Sequence, residues 1–349
     1  MAEAGSRWEA PAASAAASAQ SDGATAAGGE TAAAPELAAV AAAAARIREN
    51  VARVIVGKDA VVEHTIVALL SEGHILLDDV PGLGKTVLAK SFARSLGLGF
   101  RRIQFTPDLT PADVTGSNIY NQATGAFEFR PGPLLAQLVL ADEINRASPR
   151  TQSALLEAME ERQLTVDGET RHMERPFLVI ATQNPVELEG TFPLPEAQLD
   201  RFLLRLRIGY PSAEEEDDIL ARFERAQPLD ALEPVVEAGA LRDLSRAVEQ
   251  VQVHERVRGY IVDLVRATRE EDSFELGASP RASLGLLRAS RALAAIRGRG
   301  YVLPDDVQEM ARVVLPHRLL LGAQSRLRSR TSADVLEAII RGVPVPVES

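Results

Sequence analysis

Short apolar runs alternate with longer amphipathic runs through the middle of the chain. The apolar runs are typical of buried strands, and the amphipathic runs show the periodicity of helices. Because strands that alternate with helices form parallel sheets covered on both faces, the pattern predicts an α/β fold with a five-stranded parallel sheet. The predicted strands are Ile75–Asp78, Arg102–Phe105, Gln137–Ala141, Phe177–Thr182 and Leu203–Ile208, and the intervening helices include Asp59–Glu72, Thr86–Leu96 and Arg150–Arg162.

Two further segments predict β-hairpins. Ile119–Phe129 has Ala-Thr-Gly near its centre, and Gln163–Met173 alternates around Asp167-Gly168, a dipeptide typical of tight hairpin turns. A helix is also predicted to begin at Pro111, with Thr110 as its N-cap, because proline is favoured at the first helical position.

The pattern changes at both ends of this region. Residues 1–35 are mostly Ala, Gly, Ser and Thr, so this tail is predicted to be disordered, and a helix is expected from Glu36 to Val54. Beyond Pro211 only helical patterns remain. We therefore predict a disordered tail (1–35), an α/β core (36–211) and a small all-helical domain (212–349). The predicted helices of the last part are Ala213–Arg225, Ala238–Gln250, Glu255–Glu270, Pro280–Gly298, Pro304–Val314 and a short piece near Ser332–Arg341.

Composition narrows the function classes. The formal net charge is −11 with a pI near 5.1, which argues against a dedicated nucleic-acid-binding surface. The chain has no cysteine, so disulfides and thiolate metal sites are excluded. No apolar run reaches the roughly 18 residues of a membrane span, and the N-terminus lacks the pattern of a secretory signal. We expect a cytoplasmic protein without stable membrane insertion.

The segment Asp79-Val80-Pro81-Gly82-Leu83-Gly84-Lys85-Thr86 joins a predicted strand to a predicted helix. Glycines in such a turn let backbone N–H groups approach an anion closely at a helix N-terminus. Lys85 would place its charge at the β- and γ-phosphates of a nucleotide, and the Thr86 hydroxyl would bind Mg²⁺. Asp79 stands where the usual phosphate-loop pattern has its first glycine.

A second motif, Leu138-Val139-Leu140-Ala141-Asp142-Glu143, is an apolar strand that ends in two acids. In a phosphate-loop ATPase the carboxylate at the strand end holds Mg²⁺, and the next one polarises the attacking water. We therefore assign Asp142 to Mg²⁺ and Glu143 to the general base.

With both motifs placed, the chain resembles the AAA+ ATPases and, within them, the MoxR family, over about residues 47–320. The departure at Asp79 matches the MoxR pattern. The resemblance implies an AAA+ phosphate-loop core with hairpin inserts and a C-terminal helical lid. The other stretches that carry it are Val56–Asp59, Arg102–Asp113, Gly132–Leu134, Ala141–Ala147, Ala181–Pro185 and Glu189–Phe202.

The resemblance also implies roles for four more residues. Asn184 would orient the attacking water, and Arg201 would be an arginine finger supplied to a neighbouring subunit. Arg281, in the first turn of a lid helix, would contact the γ-phosphate and report hydrolysis to the lid. Gly57 would let the backbone lie against the adenine base. The hairpins 119–129 and 163–173 would lie near a central pore, although plain surface hairpins fit the sequence equally well.

The resemblance implies a ring-forming ATPase, a homo-hexamer, with ATP and Mg²⁺ as cofactors. It would be a chaperone that remodels, matures or activates partner proteins, and proteins with von Willebrand factor A-type domains are the expected partner class. Two alternatives stay open: a magnesium-chelatase-like subunit for metal insertion, which shares the hairpin inserts, and a nucleic-acid motor, which the acidic net charge disfavours.

Overall fold

The computed structural model describes residues 30–184, 190–225 and 227–346. Residues 1–29, most of the segment predicted to be disordered, lie outside this range. The first helix begins at Glu30, six residues before the predicted start at Glu36, and includes Pro35. The prediction of this boundary was wrong, because the alanines at 32–34 favour helix strongly enough to extend it past the proline.

Helices and strands follow the predicted alternation closely. The strands are β1 (Ile75–Asp78), β2 (Phe100–Gln104), β3 (Gly116–Asn121), β4 (Ala126–Pro131), β5 (Leu138–Asp142), β6 (Gln163–Val166), β7 (Glu169–His172), β8 (Leu178–Gln183), β9 (Leu204–Leu206), β10 (Phe274–Leu276) and β11 (Leu320–Leu321). The helices are α1 (Glu30–Ala52), α2 (Asp59–Leu70), α3 (Lys85–Ser95), α4 (Pro111–Thr115), α5 (Pro149–Glu161), α6 (Glu196–Leu199), α7 (Ala213–Arg225), α8 (Ala238–Glu249), α9 (Glu255–Glu270), α10 (Pro280–Ile296), α11 (Pro304–Val314), α12 (Ala323–Leu327) and α13 (Ser332–Gly342).

Five strands form one parallel sheet in the order β2-β5-β8-β1-β9. Both faces of the sheet are buried. On β1, Ile75 and Leu77 pack into the cluster formed with α1, α2, α3 and the lid, whereas Leu76 packs with α5 on the other face. This is the arrangement that continuously apolar strands predict, and the predicted fold class is confirmed.

Both predicted hairpins are present as two-stranded antiparallel pairs, β3–β4 and β6–β7. They contact each other, since Asn118 Nδ2 donates to Asp167 Oδ2 at 2.8 Å and the Arg171 guanidinium lies 3.9 Å from the centre of the Phe129 ring. Phe127, near the tip of the first hairpin, is 72% exposed. The hairpins therefore form one joined protrusion, and their contact with a substrate stays a prediction.

The C-terminal lid is built mainly from α8 to α11 and α13, and α1 packs against its helices α8 and α10. The lid also contains the antiparallel pair β10–β11, which was not among the predicted strands. Strands of two or three residues are too short to show an apolar periodicity. Within the described ranges, no helix has the length and apolar character needed to cross a bilayer.

A buried histidine joins three elements of the core. The backbone N–H of Val179 donates to His74 Nδ1 at 3.0 Å, and His74 Nε2 donates to the carbonyl of Met159 at 3.1 Å. Burial lowers the pKa of His74 from 6.5 to about 4, with the nearby Arg162 charge acting in the same direction and the bond to Met159 opposing it. His74 is therefore neutral in the folded protein at neutral pH.

This burial predicts a pH-dependent stability. Because the pKa of His74 is lower in the folded state, the unfolded chain binds more protons between about pH 4 and 6.5, and stability falls as pH decreases through that window. At pH 5 the free energy of unfolding should be about 2 kcal/mol lower than at pH 7 because of His74. Denaturant unfolding at both pH values should show that His74→Asn reduces the pH dependence by about this amount. The control His172→Asn, at an exposed histidine, should leave it unchanged; an equal pH dependence in all three proteins would contradict the assignment.

Candidate functional site

The loop between β1 and α3 has the backbone geometry of an anion-binding turn. Gly82 and Gly84 have φ angles of +87° and +83°, a region that favours glycine, and Gly84 is the N-cap of α3. A Cβ atom at either position would meet nothing within 4 Å. The glycines are therefore required by the backbone conformation, and the space above the loop is open to a ligand.

Lys85 is the first residue of α3, and its side chain bends back over the loop. Its Nζ donates to the carbonyl oxygens of Asp79 at 2.5 Å and Val80 at 3.2 Å. Burial lowers the pKa of Lys85, while the carboxylates of Asp79, Asp142 and Glu143 oppose this shift. The ammonium group thus lies among acids, beside the N-terminus of a helix.

Asp79 has a structural task that a glycine could not perform. Its carboxylate accepts a hydrogen bond from the backbone N–H of Ile208, just beyond β9. The preceding Asp78 is buried and pairs with Arg205 on β9 itself. These two acids attach the start of the loop to the neighbouring edge strand, which accounts for the departure from the usual glycine.

The carboxyl ends of β5 and β8 bring the second motif to the loop. Ala141 pairs with Ala181 in the parallel register, so Asp142 and Thr182 come next on adjacent strands. The hydroxyl of Thr182 donates to Asp142 Oδ1 at 2.7 Å and accepts the backbone N–H of Glu143 at 2.8 Å. Thr182 was not among the predicted site residues, although it lies inside a quoted motif.

Glu143 leaves the strand in a left-handed backbone conformation, with φ at +57°. Such a conformation is uncommon for a residue other than glycine and is concentrated at functional sites. The carboxylate Oε2 accepts hydrogen bonds from Gln104 Nε2 at 2.9 Å and Arg146 Nη1 at 3.0 Å. Glu143 is thus turned towards β2 and held there by two donors.

Arg102 is a cation of this site that was not among the predicted site residues. Its Nε and Nη2 both donate to Asp142 Oδ2, at 3.1 and 2.7 Å, and Nη2 also donates to Gln104 Oε1 at 2.6 Å. Side chains two apart on a strand share a face, and Gln104 pairs with Asp142 in the register of β2 and β5. The sequence therefore shows that Arg102 and Gln104 share a face of β2. It does not show that this face lies beside Asp142, because that depends on which strand pairs with β2.

The loop separates two lobes of one cleft. A polar lobe of about 260 Å³ lies on one side and an apolar lobe of about 240 Å³ on the other, and Gly82 and Gly84 line both. The polar lobe is lined by Pro81, Gly82, Gly84, Lys85, Thr86, Arg102, Asp142, Glu143 and Asn184. The apolar lobe includes Val54, Ile55, Val56, Leu83, Ile208, Ile219 and Phe223. A ligand with a flat apolar end and an anionic end fits this arrangement.

Gly57 lies beside the apolar lobe, whose lining includes its neighbours Val56 and Lys58. Its φ is +67°, and a Cβ there would lie 1.9 Å from an oxygen of Glu215. Lys58 Nζ donates to the same carboxylate at 3.1 Å. Close packing against the start of α7 therefore accounts for this glycine, and its contact with a base stays a prediction.

Arg201 and Arg281 are not brought to the loop. Both line a separate cavity of about 640 Å³ between the core and the lid, which shares no lining residue with either lobe of the cleft. Arg281 pairs with Glu160 of α5. In the described part of the chain Arg201 forms no ion pair. The predicted phosphate-contacting arginines thus lie together, but away from their own chain's loop.

A buried arginine of the lid holds the segment that carries Arg201. Arg318 Nε donates to Asp200 Oδ1 at 2.7 Å, and its Nη groups reach the carbonyl oxygens of Phe202 at 2.6 Å and Leu203 at 3.2 Å. Charge-assisted bonds of this kind are strong when buried. The position of Arg201 is therefore fixed relative to the lid as well as to the core.

Comparison with known proteins gives two matching family models. The model described as "ATPase family associated with various cellular activities (AAA)" matches residues 74–204, which include the loop, Asp142, Glu143, Asn184 and Arg201. The model described as "AAA lid domain" matches residues 266–339, which include Arg281.

Similar proteins cover nearly the whole chain. The chain is 51% identical over 300 residues to the uncharacterized protein YeaC of Bacillus subtilis, covering 86% of this chain and 94% of that protein. It is 45% identical over 306 residues to Chaperone MoxR1 of Mycobacterium tuberculosis, covering 85% of this chain and 81% of that protein. The crystal structure of a Cytophaga hutchinsonii protein assigned as an ATPase has a TM-score of 0.85 at 36% identity, covering 91% of this chain and 99% of that one.

The contacts of Thr182 predict a measurable cost for its removal. Thr182→Val keeps the shape of the side chain but leaves Asp142 Oδ1 and the N–H of Glu143 without this partner. We expect a loss of about 2 kcal/mol in the free energy of unfolding, measured by denaturant titration. The control Thr165→Val, at an exposed threonine of β6, should change stability by less than about 0.5 kcal/mol. Equal effects of the two substitutions would contradict the role of Thr182.

Proposed function

The chain belongs to the MoxR family of AAA+ ATPases, and on that basis we propose that it hydrolyses ATP with Mg²⁺ and couples hydrolysis to the remodelling, maturation or activation of partner proteins. One observation carries the proposal: Lys85, Thr86, Asp142, Glu143 and Asn184 line a single polar lobe directly beside an apolar one. A triphosphate in the polar lobe and an adenine base in the apolar lobe match both the size and the chemistry of the cleft.

The residues of the polar lobe fit Mg²⁺. Thr86 offers a hydroxyl and Asp142 a carboxylate, both hard oxygen donors of the kind that this ion prefers. Across the described ranges, no cluster of three or more His, Asp or Glu side chains is placed to hold a metal. The ion would therefore take its other ligands from phosphate and water, as is usual at nucleotide sites. When bound, Mg²⁺ neutralises charge on the phosphate oxygens.

Each residue of the cleft then has a defined task. The loop N–H groups and Lys85 bind the phosphates, and Asp142 stays in place through Thr182. Glu143, once released from Gln104 and Arg146, accepts the proton of the attacking water, which Asn184 orients through its amide. The chain thus supplies positioning and charge, which are the main contributions of protein to phosphoryl transfer.

The placement of the two arginines supports assembly. Arg201 and Arg281 line a cavity that also contains Arg162, Arg288 and Arg318, against the acids Glu72, Glu160 and Asp200, so the cavity is basic. We propose that this cavity faces the nucleotide of a neighbouring subunit in a closed ring, a homo-hexamer, and that both arginines act there on the γ-phosphate.

The partner class follows from the family alone. The relative in M. tuberculosis is named a chaperone, and we propose the same type of activity for this chain, with proteins carrying von Willebrand factor A-type domains as partners. The joined hairpins β3–β4 and β6–β7 expose aromatic and apolar side chains such as Phe127 and Tyr120, which are proposed to contact the partner.

The nucleotide-binding role of the loop is tested at Lys85. Lys85→Ala removes the ammonium group from the phosphate side of the cleft, so ATP affinity should fall at least about tenfold in equilibrium titration. The control Lys90→Ala changes an exposed lysine on the same helix and should bind as the wild type does. Unchanged affinity in Lys85→Ala would refute the assignment of the loop.

The action of Arg201 between subunits is tested by mixing two inactive variants. Arg201→Ala and Glu143→Gln should each reduce hydrolysis about 100-fold or more. In a random equal mixture about a quarter of the interfaces would combine an intact Arg201 with an intact Glu143, so activity should recover substantially. A mixture as inactive as its components would contradict action in trans.

A further inference from the structure

The contact between Arg102 and Asp142 is not explained by the proposed function. Thr182 engages Asp142 Oδ1, and the Arg102 guanidinium donates twice to Oδ2, so both oxygens of the carboxylate are engaged. The Arg102 side chain is 47% exposed, whereas that of Asp142 is 12% exposed. A nearly buried carboxylate is thus neutralised by a cation that reaches it from the open side of the cleft.

The charges of the polar lobe show why such a cation is needed. Asp142 and Glu143 lie on the side of the lobe where an anionic ligand would be held, and Lys85 is near both of them. Without a further positive charge, the phosphates of a nucleotide would be repelled by the two acids. Arg102 offsets the charge of the acid that is assigned to Mg²⁺, and it contacts Oδ2, the oxygen that Thr182 does not engage.

We propose that Arg102 is an internal counter-ion that takes the place of Mg²⁺ at Asp142 and lets the cleft hold a nucleotide before the metal arrives. The inference rests on the proposed function. Two cations compete for Asp142 Oδ2: the guanidinium while the metal is absent, and Mg²⁺ with its water shell when the metal is bound. Because half of its side chain is in solvent, Arg102 can leave the carboxylate without opening the core.

This exchange makes a specific prediction about metal dependence. Without Mg²⁺, loss of Arg102 exposes the nucleotide to the charge of Asp142, so affinity falls. With saturating Mg²⁺, Asp142 faces the metal and Arg102 has already been displaced, so its loss has little effect. The ratio of the two dissociation constants, metal-free over metal-saturated, therefore isolates the role of Arg102 from any general contribution to binding.

The test is equilibrium titration of ADP, which is not hydrolysed, with saturating Mg²⁺ and with a chelator. The variant Arg102→Met removes the charge at similar length, and Arg102→Lys keeps a charge. Arg101→Met is the matched control, because Arg101 is an exposed neighbour that points to the other face of β2. We expect Arg102→Met to raise the ratio about tenfold over the wild type, Arg102→Lys to raise it less, and Arg101→Met to leave it unchanged.

Three outcomes would overturn the inference. Equal weakening of ADP binding by Arg102→Met in both conditions would make Arg102 an ordinary phosphate ligand or a structural residue. Unchanged ADP affinity in both conditions would show that the contact with Asp142 has no part in nucleotide binding. Failure of the wild type to bind ADP even with Mg²⁺ would overturn the proposed function and this inference with it. Unaltered binding by Arg102→Met with Mg²⁺, together with the raised ratio, would show that the fold is intact.

Discussion

The hydroxyl of Thr182 joins the ends of two adjacent parallel strands, and the geometry of the cleft depends on that junction. It fixes Asp142 on one side and the backbone of Glu143 on the other. The parallel register makes this possible, because strands that run in the same direction present their carboxyl ends at one edge. Asp78 and Asp79 attach the loop that follows β1 to the neighbouring edge strand, β9. The fold itself therefore brings the polar side chains of the cleft together at this edge of the sheet.

The second organising feature is the division of the positive charge. Lys85 and Arg102 line the cleft of their own chain, whereas Arg201 and Arg281 line a basic cavity between core and lid. Arg318 bonds both the side chain and the backbone around Arg201, so a change in the position of the lid would be transmitted to that arginine. In a ring, this arrangement would couple the lid of one subunit to hydrolysis in the next, which gives a physical route for coordinated action among subunits.

The sequence predicted most of the fold because its signals are local. Thr110 and Pro111 mark the start of α4 as expected, and Asp113 Oδ2 accepts the backbone N–H of Thr110 at 2.9 Å. The central strands β1, β5 and β8 appear as apolar runs, and the loop 79–86 appears as a glycine pattern between a strand and a helix. Arg102 and Thr182 were missed because their roles come from the order of strands in space. The pair β10–β11 was missed because two or three residues carry no periodicity. The hydrogen bond from Arg318 to Asp200 was missed because it joins positions far apart in the chain.

The central claim is that hydrolysis needs a site completed by two subunits, and the dependence of specific activity on protein concentration tests it most directly. Mg²⁺-dependent ATP hydrolysis per subunit should be low in dilute protein, where sizing shows monomers. It should rise in parallel with assembly, with Glu143→Gln inactive throughout as the blank. Specific activity that stays constant down to concentrations at which the protein is monomeric would contradict the account, because one chain would then supply every group that the reaction requires.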